Sequence, residues 1–193
     1  MITTNTYEVV KLIIYTITNL PEHLESISHN AINYYLKTEK LTCLLLWDKV
    51  KEVVEPDGNG YIIFDDSVLD NRYSEEIEMV RRQDSGNEHG ILQGIGVVSC
   101  VYVNPKVQRF WVVDYRIFNA DVDGKTKIDH VKYMLQNLVY HQLFPFDRVL
   151  MDTWYAVNSF MLYIDSLDKI SYCPLNRLVN DTFAKEKDKP IEL

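Results

Sequence analysis

Two short apolar runs that end on carboxylates constrain this chain more than any other feature. Tyr61-Ile-Ile-Phe-Asp-Asp-Ser-Val-Leu69 is β-type and meets acid at Asp65 and Asp66. Far downstream, Asp147-Arg-Val-Leu-Met-Asp-Thr-Trp-Tyr-Ala156 is apolar up to Asp152 and then breaks toward a helix. Strands of this kind carry their carboxylates to one rim of a sheet, and side by side they bring Asp65 or Asp66 close to Asp152. Hard oxygen donors placed in this way suit Mg²⁺, which keeps the rest of its shell for water and substrate, and sites of that type serve phosphate chemistry.

The remaining segments supply the layers around those strands. Residues 1–57 read as a small helical region, in which Val9, Val10, Ile13, Ile14 and Ile17 recur three and four apart. Pro21 starts a short second helix through Ile27, and Ser28 caps a third in which Ile32, Tyr35 and Leu36 share a face. Thr42 caps a fourth, with Leu45, Leu46, Val50, Val53 and Val54 on its buried side. The tight break between short helices, followed by polar Asn33, Lys37 and Lys40, outlines a helix-turn-helix and hence a DNA-binding role; the plainer reading is a helical subdomain. The turn cluster Pro56-Asp-Gly-Asn-Gly60 ends the region.

Residues 58–175 alternate strands and helices. Asn71 to Glu88 is charged and reads as a short helix or a surface loop. Ile91–Val103 and Val107–Phe118 read as two strands joined at Asn104-Pro105-Lys106. Gly94-Ile-Gly96 lies inside the first of these and opens no helix, so a dinucleotide loop is excluded and the glycines mark a bulge or a close backbone approach. Asn119-Ala-Asp-Val-Asp-Gly124 begins with calcium-loop spacing but places His130 where a bidentate Glu belongs, and so reads as a polar turn. Helical spacing returns with Ile128, Val131, Met134, Leu135, Leu138 and Val139. His130 and His141 lie on it about three turns apart, too far to share a metal. A helix carrying Val157, Phe160, Met161, Ile164 and Leu167 follows Asp152, then a strand at Lys169–Cys173, and 176–193 is a polar tail.

Composition narrows the function classes. With 193 residues and 47% hydrophobic content the chain builds one good core, and the expectation is one main domain. Cys43, Cys100 and Cys173 show no Cys-x-x-Cys spacing and read as buried free thiols. No apolar stretch approaches the roughly 18 residues of a membrane span and no leader pattern opens the chain, so no membrane partner and a cytoplasmic location are expected. The formal charge of −8 speaks against a nucleic-acid binder, since such affinity comes mostly from Lys and Arg on phosphates.

The order of elements is strand with carboxylate, two-strand hairpin, helix, strand with carboxylate, helix, strand. It fits an α/β fold, a ribonuclease-H-like mixed sheet with flanking helices preceded by a small helical N-terminal region. In that fold the first and fourth strands are neighbours, which sets Asp65 beside Asp152.

Six segments in order carry a family likeness: Phe64-Asp-Asp-Ser-Val-Leu69, Arg81-Arg-Gln-Asp-Ser-Gly-Asn-Glu-His89, Gln93-Gly-Ile-Gly-Val-Val98, Phe110-Trp-Val-Val-Asp-Tyr-Arg116, Asp123-Gly-Lys-Thr-Lys127 and Met151-Asp-Thr-Trp-Tyr-Ala156. Together they resemble bacterial insertion-sequence transposases of the DDE type, from about residue 25 to about residue 182. The resemblance implies three acidic residues on a ribonuclease-H-like core, binding two Mg²⁺ (or Mn²⁺) ions that activate the attacking oxygen and stabilise the leaving one. It implies DNA, the terminal inverted repeats of the element, as partner, and a homodimer or pairing with full-length transposase. Ser67 and Leu69 follow Asp65 at the family spacing, so the resemblance assigns Asp65 and Asp152 as catalytic and metal-binding residues, with Asp66 the alternate for the first.

The third acid, a Glu within a Tyr, Arg, Glu, Lys signature, has no counterpart, because neither Glu186 nor Glu192 has an Arg four residues before it. The expectation is a C-terminally truncated, inactive copy whose basic DNA-contacting surface lies in the missing half. Two rivals stand beside it. One is a non-enzymatic fragment acting as an inhibitor or a DNA-binding module. The other is a haloacid-dehalogenase-like phosphatase, whose motif wants a second Asp where Ser67 stands.

Overall fold

A computed structural model describes residues 27–71, 79–85 and 90–174. The expectations for the first two helices, for Glu88 and for the polar tail with Glu186 and Glu192 fall outside these residues. The chain divides into two compact units, Met1–Val54 and Glu55–Leu193.

In the first unit, helix α1 (His29–Thr38) starts where Ser28 accepts a hydrogen bond from the Ala31 N–H at 3.2 Å. Helix α2 (Cys43–Val50) starts in the same way, from Thr42 to the Leu45 N–H at 3.2 Å. Each hydroxyl satisfies an amide that the first helical turn leaves without a partner. Tyr35 and Leu36 are exposed on α1, which buries no residue. One expectation needs correction: α2 stops at Val50, and Val53 is exposed rather than on a buried helical side. The helix closes there because the amides of Val53 and Val54 both reach the Val50 carbonyl, at 3.0 and 2.8 Å.

Among the described residues the second unit is a six-stranded mixed sheet built around one long strand. Strands β1 (Tyr61–Asp70), β2 (Arg81–Ser85), β3 (Gly90–Asn104), β4 (Arg109–Phe118), β5 (Arg148–Met151) and β6 (Ile170–Tyr172) run in the order β2-β3-β1-β5-β6, with β4 also paired to β3. The β3 pairings with β1, β2 and β4 are antiparallel, whereas β1–β5 and β5–β6 are parallel. The first carboxylate strand is therefore the direct neighbour of the second, as the ribonuclease-H-like order requires. Helices α3 (Ala120–Asp123), α4 (Lys127–Gln136), which runs on into a π-helical turn at Asn137–His141, and α5 (Asn158–Ser166) complete the unit. Among the described residues no helix is long and apolar enough to cross a membrane.

Alternation along the strands separates the two faces of the sheet. Ile62 and Phe64 of β1, Val98, Cys100 and Tyr102 of β3, and Val149 and Met151 of β5 are buried, and the residues between them are not. Helix α4 packs on β3 and β4 through the stripe Val131, Met134 and Leu135, and Phe64 meets Phe160 of α5 edge to face, with ring centroids 6.1 Å apart. The entry to the unit is fastened to this core. The Tyr102 hydroxyl accepts from the Asp57 N–H at 2.7 Å and donates to the Asp57 carbonyl at 3.1 Å, while the Asn104 side chain donates to the Glu55 carbonyl at 2.7 Å. A Cβ on Gly60 would lie 2.3 Å from the Tyr102 hydroxyl, so only glycine lets that ring lie against the turn.

Three sequence expectations change here. The polar Arg81–Ser85 segment is strand β2, held by backbone pairing to the start of β3. Gly94 serves the other neighbour of β3: a Cβ there would stand 2.3 Å from the Leu69 carbonyl oxygen of β1, whereas one on Gly96 would meet only the end of the Gln83 side chain, at 2.5 Å from its Oε1. The Asn119–Gly124 segment is a one-turn helix, α3, with carboxylates engaged by protein partners. Asp121 pairs with Arg81, and Asp123 accepts from the Lys125 N–H at 3.0 Å and faces His130 at 3.2 Å. Of the cysteines, Cys100 alone is buried, while Cys43 and Cys173 are partly exposed.

Candidate metal centre

The β1–β5 register sets the geometry of the site. Ile62 pairs with Val149, Ile63 with Leu150 and Phe64 with Met151. One residue beyond the last pair stand Asp65 and Asp152, at matching positions on the face opposite Phe64 and Met151. Asp65 lies on the continuing strand and Asp152 on the first residue of the loop that leads to α5. Parallel β1–β5 pairing, which stops one residue before each acid while β1 itself runs on to Asp70, thus brings two acids together across 87 residues of chain, from 65 to 152.

Electrostatics at Asp65 reflect this company. The side chain is exposed to solvent, yet its partial desolvation is the largest influence and raises the pKa of its carboxyl from the ordinary value. The Asp66 N–H opposes that shift by hydrogen bonding, and the charges of Asp66 and Asp152 add to it. Asp152 has one oxygen committed: its Oδ1 accepts from the Trp154 N–H at 3.0 Å and the Tyr155 N–H at 3.2 Å, which folds the loop back over the strand end. Among the described residues no lysine or arginine pairs with Asp65 or Asp152.

Asp66 has different surroundings. It lies on the face of Ile62 and Phe64, where Lys127 at the start of α4 pairs with its Oδ2 and the Tyr155 hydroxyl donates to its Oδ1 at 3.2 Å. Lys127 and Asp66 are largely shielded, with side chains 15% and 19% exposed. The ammonium also sits 5.2 Å from the Trp154 ring centroid and 5.5 Å from that of Phe118. Tyr155 is fully buried, and burial with the nearby carboxylates, Asp66 foremost, raises its phenol far above the usual range, so it remains a proton donor.

These donors suit a hard divalent cation. A cation shared by Asp65 and Asp152 would relieve the repulsion between two carboxylates that no described cation neutralises, and would use oxygen ligands of the kind Mg²⁺ prefers, leaving positions for water or phosphate oxygen. The set is partial: among the described residues no group of three or more His, Cys, Asp or Glu side chains gathers closely enough to hold a metal ion.

Lys127 and Tyr155 are absent from the sequence-based site, since their link to Asp66 spans 61 and 89 positions. A lysine in the first helical position opposes the helix dipole, and the Asp66 carboxylate beside Lys127 offsets that cost.

No protein-family model matches the chain, and no curated protein does. Among solved structures the chain is similar to piggyBac transposase in a synaptic complex with hairpin DNA, at 7% identity and a TM-score of 0.46, covering 97% of this chain and 41% of that one. It is also similar to Mos1 transposase in a paired-end complex with the left transposon end, at 16% identity and a TM-score of 0.32, covering 87% and 58%. A Mos1 mariner paired-end complex with Mn gives 15% identity and a TM-score of 0.29, covering 97% and 66%. The chain thus spans less than two thirds of each of these chains. The likeness is remote, and the functional argument rests on the residues themselves.

Proposed function

We propose that this chain carries part of the catalytic core of a DDE-type transposase of a bacterial insertion sequence, an enzyme class that cleaves and joins DNA strands with Mg²⁺ or Mn²⁺. The observation that supports it is the placement of Asp65 and Asp152 side by side, each one residue past the last pair of the parallel β1–β5 ladder, on the segments that carry the family resemblance. Asp65 and Asp152 would hold the cation. When bound, it would supply charge stabilisation at a phosphate and a more acidic water or hydroxyl.

The chain's own residues would position these ligands. Asp152 is fixed by two backbone N–H groups, and Asp66 is tied to Lys127 and Tyr155 on the face behind the site. Where Asp65 and Asp152 are the ligands that the described residues supply, metal would be held weakly and strand transfer would not be completed; losing one such electrostatic group commonly costs about 10²–10³ in rate. The DNA partner is the terminal inverted repeat of the element, and the protein partner a second copy or a complete transposase. The first unit is proposed as the DNA-binding part, with exposed Lys37 on α1 and Lys40 just beyond it.

The test is retention of DNA carrying the element's ends by the purified chain, in Mn²⁺ and in EDTA. The proposal expects retention to rise with Mn²⁺, the increment to vanish in Asp65→Asn and Asp152→Asn, and no nicked or joined product to form. Retention indifferent to metal in all three proteins, or release of phosphate from a chromogenic phosphomonoester, overturns it.

A further inference from the structure

We infer that Tyr155 is a positioning residue that sets the relative placement of Asp65 and Asp152; this rests on the metal-centre reading above. Tyr155 grips both strand ends. Its main-chain N–H donates to Asp152 Oδ1 at 3.2 Å, and its hydroxyl donates to Asp66 Oδ1 at 3.2 Å, next in sequence to Asp65. The β1–β5 ladder has ended by this point, at Phe64↔Met151. Beyond that pair, the side chain and amide of Tyr155 form a bridge from the post-β5 loop back to β1.

The bridge is rigid at both ends. Tyr155 is fully buried and its ring packs edge to face on Trp154 at 4.9 Å, which fixes the phenol direction. Asp66 is held from the other side by Lys127, whose ammonium also lies against the Trp154 ring. A site to which the described residues bring two carboxylates has few ligands to define it, so its affinity depends strongly on how well those ligands are placed. Outer contacts that orient metal ligands typically account for about 10–100-fold in affinity.

Tyr155→Phe is the discriminating change, because it keeps the ring, the main-chain N–H and every charge, and removes one hydrogen bond. Mn²⁺ binding is measured by the loss of the free-ion electron paramagnetic resonance signal, beside thermal unfolding of the same samples. The inference expects Tyr155→Phe to weaken Mn²⁺ binding about tenfold, and expects that effect to disappear in an Asp66→Ala background, where the bridge has no anchor. Tyr163→Phe, a control tyrosine on α5, leaves binding unchanged. If Asp65→Asn and Asp152→Asn each reduce binding while Tyr155→Phe does not, the positioning role is wrong and the metal-centre reading stands. An effect of Tyr155→Phe that persists undiminished in the Asp66→Ala background also overturns the role. If neither Asp65→Asn nor Asp152→Asn alters Mn²⁺ binding, the metal-centre reading falls, and the inference with it.

Discussion

Replacing Lys127 with Met should destabilise the protein by about 2–3 kcal/mol, from three contributions of known sign. The Lys127 and Asp66 side chains are 15% and 19% exposed, so the pair is mostly withdrawn from water. Removing one partner of a buried ion pair costs about 3–5 kcal/mol, because the other charge remains where solvent cannot reach it. Two features lower that figure here. Asp66 keeps the Tyr155 hydroxyl as a donor, at 3.2 Å, and some water contact. Lys127 also opens α4, where a cation opposes the dipole, so its loss returns about 0.3–1 kcal/mol. Met preserves the apolar stem against Phe118 and Trp154. In urea at a slope of about 2 kcal/mol/M, the midpoint should fall by roughly 1 M. Lys127→Met combined with Asp66→Asn leaves neither charge yet keeps an acceptor for Tyr155, and should regain more than half of the loss. A single variant within about 0.5 kcal/mol of the wild type, the usual range of neutral surface changes, would refute the reasoning, as would a double variant less stable than the single.

Two further outcomes follow from buried polar groups. Tyr102→Phe removes both links from the sheet to Asp57 and strands an amide, so equilibrium unfolding should show a loss of about 1–3 kcal/mol; an unchanged midpoint would mean the entry turn is held elsewhere. His130 is buried on α4, and burial, only partly offset by the Asp123 charge, lowers its pKa below the usual 6.5. The folded state therefore binds this proton less readily than the unfolded one, and stability falls as pH drops below 6.5, by at most about 1.4 kcal/mol per pH unit from one group. His130→Gln should flatten the stability curve between pH 7 and 5, and parallel curves for the two proteins would contradict this.

What the sequence disclosed follows the strength of local patterning. The runs at Tyr61 and Arg148 are apolar and β-branched, and they became β1 and β5, neighbours as the element order suggested, although β1 does not stop at its acids but runs on to Asp70 through its pairing with β3. Ser28 and Thr42 marked helix starts because capping is chemistry within four residues. The polar β2 was missed because Arg-Arg-Gln-Asp-Ser has no alternation to read. It is a strand because β3 extends past β4 and offers an edge for it. Helix ends were misplaced by a few residues for a similar reason, since α2 stops on a backbone turn that hydropathy does not encode. At the site, Asp65 and Asp152 could be named from strand ends, but the clamp on Asp66 could not, since Lys127 and Tyr155 reach it only through the fold. The −8 charge and the proposed DNA partner pull in opposite directions.

The central claim is that Asp65 and Asp152 jointly hold a divalent cation, and anomalous diffraction from crystals soaked in Mn²⁺ tests it most directly. The account predicts a manganese peak between these two carboxylates, with one oxygen of each at roughly 2.0–2.3 Å and water filling the remaining positions. A manganese peak at Asp66, or at Asp121 and Asp123, with none between Asp65 and Asp152, would contradict it.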